Sequence, residues 1–356
     1  MQVTKTPGKL YLAGEYAVMT PGQAALVAAV NRYVVIRLEE GSSQVLSNLD
    51  GYKPHAWIRS DHHIRLEAGA SFDLLAVSMT VAESYLREHG IRPIGRYSLN
   101  IESQLEDKES GYKYGLGSSG AVTVGVIQTI LKAHNCSVLP LTIYQLAVMA
   151  QVWHNEAGSF GDIAAASFAH LIYYQSPDRS WLEKQVLAYH AGHISIKEIL
   201  QMVWPSLVIE PIALPKASDM LVGWTQSPVK TAHLLRQTST SPETSDFFED
   251  NHRILTALYQ ACQSDDSHAF HQGIRDNRKL LQAFAARCGI VLETDRLKQL
   301  IAIAEEEGAA SKTSGAGGGD CGICFVTNPF QKSAIYKRWQ EAGIVPLEIS
   351  LVEKGE

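Results

Sequence analysis

The hydrophobic pattern of this chain changes period as it runs from the amino to the carboxyl end. Near the start, "KLYLAG" and "YVVIRLEE" are apolar or alternating over strand-like lengths. Further on, "IYQLAVMAQVWHNEAG" and "GDIAAASFAHLIYY" carry apolar residues in helical patterns, so the first half reads as mixed α and β. The second half opens with a β-rich stretch, "DMLVGWT", and continues through the polar "TSTSPETS" into amphipathic helices between Asp246 and Gly308. A glycine run, the short strand "CGICFV", a helix opened by Pro329 and a last strand near "VPLEISLVE" complete it. Helices on one side of an antiparallel sheet would explain that order, and the expected fold class is α+β. Pro177, Pro205, Pro211 and Pro215 cluster between Ser176 and Asp219, so the chain is divided into residues 1–200 and 201–356. There is no internal repeat and no low-complexity block.

One segment carries chemistry. In "GYKYGLGSSGAVTVGVIQTILKAH", Gly111 to His134, Gly115, Gly117 and Gly120 satisfy G-x-G-x-x-G. A dinucleotide site needs an acidic residue about 20 positions on, where this chain has "SVLPLT". A Walker loop needs Lys-Ser/Thr after its last glycine, where this chain has Ala121-Val122. What remains is a glycine turn opening onto a run without proline or charge before Lys132, which favours a buried helix. A helix start offers unpaired N–H groups and partial positive charge, glycines admit a phosphate to the backbone, and Ser118 and Ser119 can donate hydrogen bonds or help hold Mg²⁺. The segment therefore reads as a triphosphate cradle, with an ordinary Ser N-cap after a tight turn as the plainer alternative.

Composition narrows the partners. The 356 residues are 46% hydrophobic and 19% charged, ordinary globular material of two-domain length. A net charge of −6 argues against nucleic acid or an anionic membrane as the main partner, so an anionic substrate must be met locally. Five sparse cysteines and the lack of a charged-then-apolar leader suggest a reduced, cytoplasmic protein. The apolar run from Ala24 to Val30 is too short to span a bilayer. Cys321 and Cys324 form C-x-x-C, but positions three apart on a strand face opposite ways and no second pair completes a zinc site. His62-His63 reads as surface rather than metal site.

"GLGSSGA" resembles the second signature of the GHMP small-molecule kinases. "KTPGKLYLAGEYAVM" is similar to their first signature and "KTSGAGGGDCG" to their third, in family order from Lys5 to Gly322. The resemblance implies a two-domain fold, a mixed α/β N-terminal domain with a left-handed-crossover type phosphate loop and a ferredoxin-like C-terminal α/β sandwich. It is strongest to the members that phosphorylate 5-phosphomevalonate, implying transfer of the ATP γ-phosphoryl to the acceptor phosphate, with Mg²⁺, by a monomer or homodimer. Relatives acting on mevalonate or on 5-diphosphomevalonate, and a non-catalytic sensor on the same scaffold, stay open as alternatives.

By the same resemblance, Lys9 and Asp162 are catalytic. Lys113, Gly115, Leu116, Gly117, Ser118, Ser119 and Gly120 bind ATP, and Lys9, Tyr16, Ser159, Ser314 and Ala316 meet the acceptor. Ser119 is the primary Mg²⁺ ligand, because the glutamate that mevalonate kinases carry eleven residues before the aspartate is here Gln151. Glu156 is a carboxylate out of register. A phosphate monoester has a second pKa near ~6 and is largely dianionic at neutral pH, so Asp162 is expected to orient Lys9 and metal rather than take a proton. Asp219 and His233 are lesser candidates with bland explanations, a strand-end acid and a helix histidine.

Overall fold

The computed structural model describes residues 1–67, 73–226 and 245–352. β1 (Gln2–Ala13) runs antiparallel along β2 (Ala24–Glu40), a strand of 17 residues free of Gly and Pro. On its other edge, the start of β2 pairs one strand and its end another, so this one element organises the first sheet. The remaining strands are β3 (Gln44–Ser47), β4 (His55–Ser60), β5 (His63–Leu66), β6 (Tyr97–Ser103), β7 (Leu171–Gln175) and β8 (Val208–Ile212). Their order is β5-β4-β3-β6-β2-β7-β8, with β1 joined to β2. β3 and β6 are parallel.

Three helices pack on this sheet, α1 (Asp73–Glu88), α2 (Ser118–Ala133) and α4 (Gly161–Phe168), and α3 (Pro140–Trp153) packs against all three. α3 buries every residue from Ile143 to Val152, as a helix apolar all round must. Pro140 sits at its start, where a missing N–H costs nothing. α5 (Arg179–His190) and α6 (Ile196–Gln201) follow. The expected helical pattern through "LIYY" is corrected. Ala169, at φ 49°, ends α4, and Leu171, Ile172 and Tyr174 are buried in β7. Ring and β-branched side chains in a doubly covered strand read like a buried helix until the break is seen.

The second sheet contains β9 (Asp219–Trp224), β10 (Ala310–Thr313), β11 (Cys321–Val326) and β12 (Val345–Leu347), in the antiparallel order β10-β11-β9-β12. With helices after its first and third strands, this is the βαββαβ arrangement of ferredoxin-like domains. The helices are α7 (Ser245–Gln263), α8 (Ser267–Cys288), α9 (Asp295–Glu306) and α10 (Pro329–Glu341).

Helices cover both faces of this sheet, not one. Val222, Ile323 and Phe325 share a core with Leu255 of α7 and Phe270 and Ile274 of α8. Leu221, Cys324 and Val326 share a second core with Leu300 of α9 and Ile335 and Trp339 of α10. Strand alternation sends successive residues to opposite sides, and both sides here are apolar. Cys321 and Cys324 accordingly lie in different cores.

β8 pairs with β7 of the first sheet, so the change of sheet falls between Ile212 and Asp219. We propose the domain boundary there rather than at residue 200. Among the described residues, no helix is long and apolar enough to cross a membrane.

Candidate active site

The loop after β6 turns into α2 through Gly117, which is the N-cap at φ 76° and ψ 44°. Only a residue tolerant of the left-handed region sits there without strain. Neither serine caps the helix, and the N-cap position makes no side-chain cap hydrogen bond; in the first turn the Gly120 N–H is met by the Asp162 carboxylate. The Ser N-cap alternative is thereby removed. The helix start faces a cleft of about 650 Å³ between the two domains.

The glycines of this loop also make room for side chains from elsewhere. A Cβ at Gly115 would stand 2.6 Å from Asp320 Oδ2. One at Gly117 would stand 2.9 Å from Lys9 Cγ and 3.1 Å from Asp162 Cβ. One at Gly120 would stand 2.5 Å from Asp162 Oδ2. Contacts under 3.0 Å force a shift, so small residues here let the cleft gather its charged groups against the loop. Gly161 does the same for Tyr11, whose hydroxyl lies 2.3 Å from where its Cβ would be.

Lys9 reaches the loop from β1. Its backbone N–H donates to Leu116 O at 2.9 Å, and its ammonium donates to Gly115 O at 2.7 Å. Burial pulls the Lys9 pKa below its ordinary value, opposed by the nearby Asp162 and Asp320 carboxylates. Asp162, in the first turn of α4, accepts from Ile163 N at 3.0 Å. Burial pushes its carboxyl up, against the pull of Lys9 and of backbone N–H groups. Each charge is thus held in the cleft at a desolvation cost that the other reduces, a pattern typical of functional sites.

Tyr11, two residues beyond Lys9 on the same face of β1, bonds Ser159 Oγ through its hydroxyl at 2.8 Å. Burial raises its phenol pKa, so it stays neutral. Tyr174 donates to Ser159 O at 2.5 Å and bonds the Tyr144 hydroxyl at 3.0 Å, extending a buried hydroxyl chain behind the cleft. From the second domain, Ser314 Oγ donates to Tyr11 O at 2.9 Å. The Tyr16 hydroxyl donates to Ala316 O in a short hydrogen bond.

Apart from the lesser candidates Asp219 and His233, every candidate site residue except Gly120 lines this cleft, and Gly120 lies directly beside Asp162. Lys113 and Ser119 are exposed to it, while Leu116 is buried beneath it. Gln151 and Glu156 line it too, with Glu156 bonded to His154 at 3.1 Å. Asp219 lies in a separate, smaller cleft, and His233 falls outside the described residues. Sequence reasoning did not single out Tyr11, Glu15 or Asp320, all of which line the site. The period of two from Lys9 marks Tyr11, whereas Glu15 and Asp320 sit unremarked within the first and third glycine-bearing signatures.

The donor set suits Mg²⁺. Ser119 and Asp162 both line the cleft and carry hard oxygen donors of the kind Mg²⁺ takes, with phosphate oxygens and water to complete its shell.

The first sheet, the phosphate loop and a carboxyl-terminal glycine loop meeting over one cleft define a small-molecule kinase. Residues 76–170 match the GHMP kinases N-terminal domain and residues 258–345 the GHMP kinases C-terminal domain, and the chain belongs to the GHMP kinases. It is 29% identical to a phosphomevalonate kinase from Streptomyces sp. (strain CL190), over 99% of this chain and 98% of that one. The structure of Streptococcus pneumoniae phosphomevalonate kinase in complex with phosphomevalonate and AMPPNP is similar at a TM-score of 0.86 and 27% identity, covering 99% and 100% of the two chains. A Lin0012 protein from Listeria innocua is similar at 0.87 and 31%, covering 99% of each.

Proposed function

We propose that this chain is a phosphomevalonate kinase, transferring the ATP γ-phosphoryl to the phosphate of (R)-5-phosphomevalonate to give 5-diphosphomevalonate and ADP. The observation that carries the reading is the convergence of Lys9, the Gly115–Gly120 loop and Asp162 in one cleft, in a chain similar over its whole length to phosphomevalonate kinases. The five free cysteines suit a reducing cytoplasm.

In this reading the triphosphate lies at the start of α2, where N–H groups left without a side-chain cap at Gly117 and the helix dipole favour anions. The acceptor lies toward Tyr16, Ser159, Ser314 and Ala316. An acceptor phosphate oxygen forms the new bond to the γ-phosphorus as the bond to the ADP oxygen breaks. Lys9 stabilises the charge on the transferring group from a fixed position, which is where preorganised electrostatics contribute most. Ser119 and Asp162 would hold Mg²⁺, which when bound neutralises phosphate charge. Asp162 also keeps Lys9 cationic and aimed. The acceptor is already ionised at neutral pH, so no proton need be removed. The third-signature loop closes the cleft from above and excludes the water that would divert transfer into hydrolysis.

Initial rates of ADP release with Mg-ATP and, separately, mevalonate, 5-phosphomevalonate and 5-diphosphomevalonate test the reading. Turnover with 5-phosphomevalonate alone is expected. Turnover of another of the three would reassign the acceptor, and ATP binding without turnover would favour a sensor. Asp162's role is tested by pH profiles of wild type and Asp162→Asn. An acidic limb that vanishes in a still active Asn variant would make Asp162 a base.

A further inference from the structure

A charged pair at the cleft serves none of the roles assigned above. Lys312 lies in β10 of the second domain and is fully buried, although lysine is almost never found so. Its ammonium forms a short ion pair with Glu15 and donates to Thr313 O at 2.7 Å. Glu15 follows β1 in the first domain, is 3% exposed and lines the cleft. The two residues are 297 positions apart, so the pair joins the domains at the site itself.

The Glu15 oxygen that meets Lys312 also accepts from Gly315 N at 3.3 Å. Its other oxygen is buried and has no hydrogen-bond partner among the described residues. Lys312 and Gly315 are therefore what fixes this carboxylate. Gly315 begins a loop that cannot hold its own shape, since Gly315, Gly317 and Gly318 all have positive φ and carry no side chain to pack. Its position comes from anchors: Ser314 on Tyr11 O, Gly315 on Glu15, Ala316 O on the Tyr16 hydroxyl, and Gly318 N on Leu292 O at 2.7 Å. Three of these four reach into the first domain.

We propose that Lys312 is a positioning residue for phosphoryl transfer, locking the Glu15 carboxylate so that the loop of Ser314–Gly319 is seated over the phosphate loop. A buried ion pair contributes little to stability compared with apolar residues of like volume. Its presence where both domains line the cleft is explained by geometry rather than by folding energy. The pair acts on the reaction only through the loop, and its kinetic consequence rests on the functional reading above.

The test compares wild type, Lys312→Met and the neutral double variant Lys312→Met/Glu15→Gln. Rates are expressed per ATP-binding site, so that unfolded material does not count, and amide hydrogen exchange is followed over residues 314–319. Removing one charge strands the other, so Lys312→Met loses stability, and the double variant recovers most of it. Loop seating requires the ionised pair, so both variants lose amide protection over 314–319 and fall on the order of tenfold to a hundredfold in kcat, with ATP affinity changed less than about threefold. A double variant that regains wild-type kcat together with its stability would show a structural pair only and overturn the proposal. Unchanged protection of residues 314–319 in either variant would overturn it equally. The exchange readout needs no turnover, so it stands even if wild type ignores 5-phosphomevalonate, a result that would instead remove the functional reading.

Discussion

The Asp162 carboxylate occupies the space that a side chain on Gly120 would fill, with Oδ2 2.5 Å from the position of the missing Cβ. Gly120 lies in the first turn of α2, where alanine is the better helix former by roughly 1 kcal/mol. Gly120→Ala gains that propensity but must push the Asp162 carboxylate aside, an overpacking strain of about 1–3 kcal/mol, so the thermal midpoint should hold or fall slightly while Asp162 is displaced. Misplacement of a catalytic group by about 1 Å can cost on the order of a hundredfold, and a fall of roughly tenfold to a hundredfold in kcat is expected. Thermal melts and steady-state rates on the same preparation check both halves.

Asp162 should trade stability for function in a pH-dependent way. Its pKa is raised in the folded protein, chiefly by burial, so the folded state holds the proton more tightly than the unfolded chain does. The stability it contributes is complete below the ordinary carboxylate value, about 4, and is lost as pH rises through the folded value. Asn mimics the neutral form. Asp162→Asn should match wild type in stability near pH 4 and exceed it increasingly toward neutrality. Urea unfolding across that range measures the gap, and a gap of opposite sign would mean that Lys9 outweighs burial.

Lys9→Met removes the cation that bonds Gly115 O and faces the transferring group. Loss of one preorganised charge-stabilising donor costs on the order of 10²–10³ in kcat. The decrease should appear in kcat as well as in kcat/KM, because the interaction strengthens in the transition state. A rise in KM alone would assign Lys9 to ground-state binding.

Tyr16→Phe removes the hydroxyl that holds Ala316 O and keeps the ring against Phe284, whose centroid is 5.3 Å away. A single net hydrogen bond is worth about 0.5–1.5 kcal/mol. The acceptor KM is expected to rise by roughly twofold to tenfold, with the ATP KM unchanged, in rate measurements that vary each substrate separately.

How far the sequence revealed this molecule depended on whether a signal was local. The Gly115–Gly120 loop and α2 were legible because a turn and an uncharged apolar run adjoin each other. β11 and α10 were legible from "CGICFV" and Pro329. The strands β3 to β5 were not, being short and interspersed with His, Arg and Ser. The second helix layer on the C-terminal sheet had a signal that went unused: β11 is apolar at consecutive positions, which requires cover on both faces. Lys312 was illegible in principle, because its partner Glu15 is remote in sequence and a lysine beside a glycine-rich loop reads as solvated. Lys9 and Asp162 came from the resemblance to a known family. Only the structure brings them together beside Gly117.

The most direct measurement is to incubate the protein with 5-phosphomevalonate and ATP isotopically labelled on its γ-phosphoryl oxygens, and to read the mass of the products. The account predicts 5-diphosphomevalonate carrying the label in its new terminal phosphoryl group, formed together with ADP. Label recovered only in inorganic phosphate, or no product one phosphoryl heavier than the acceptor, would contradict it.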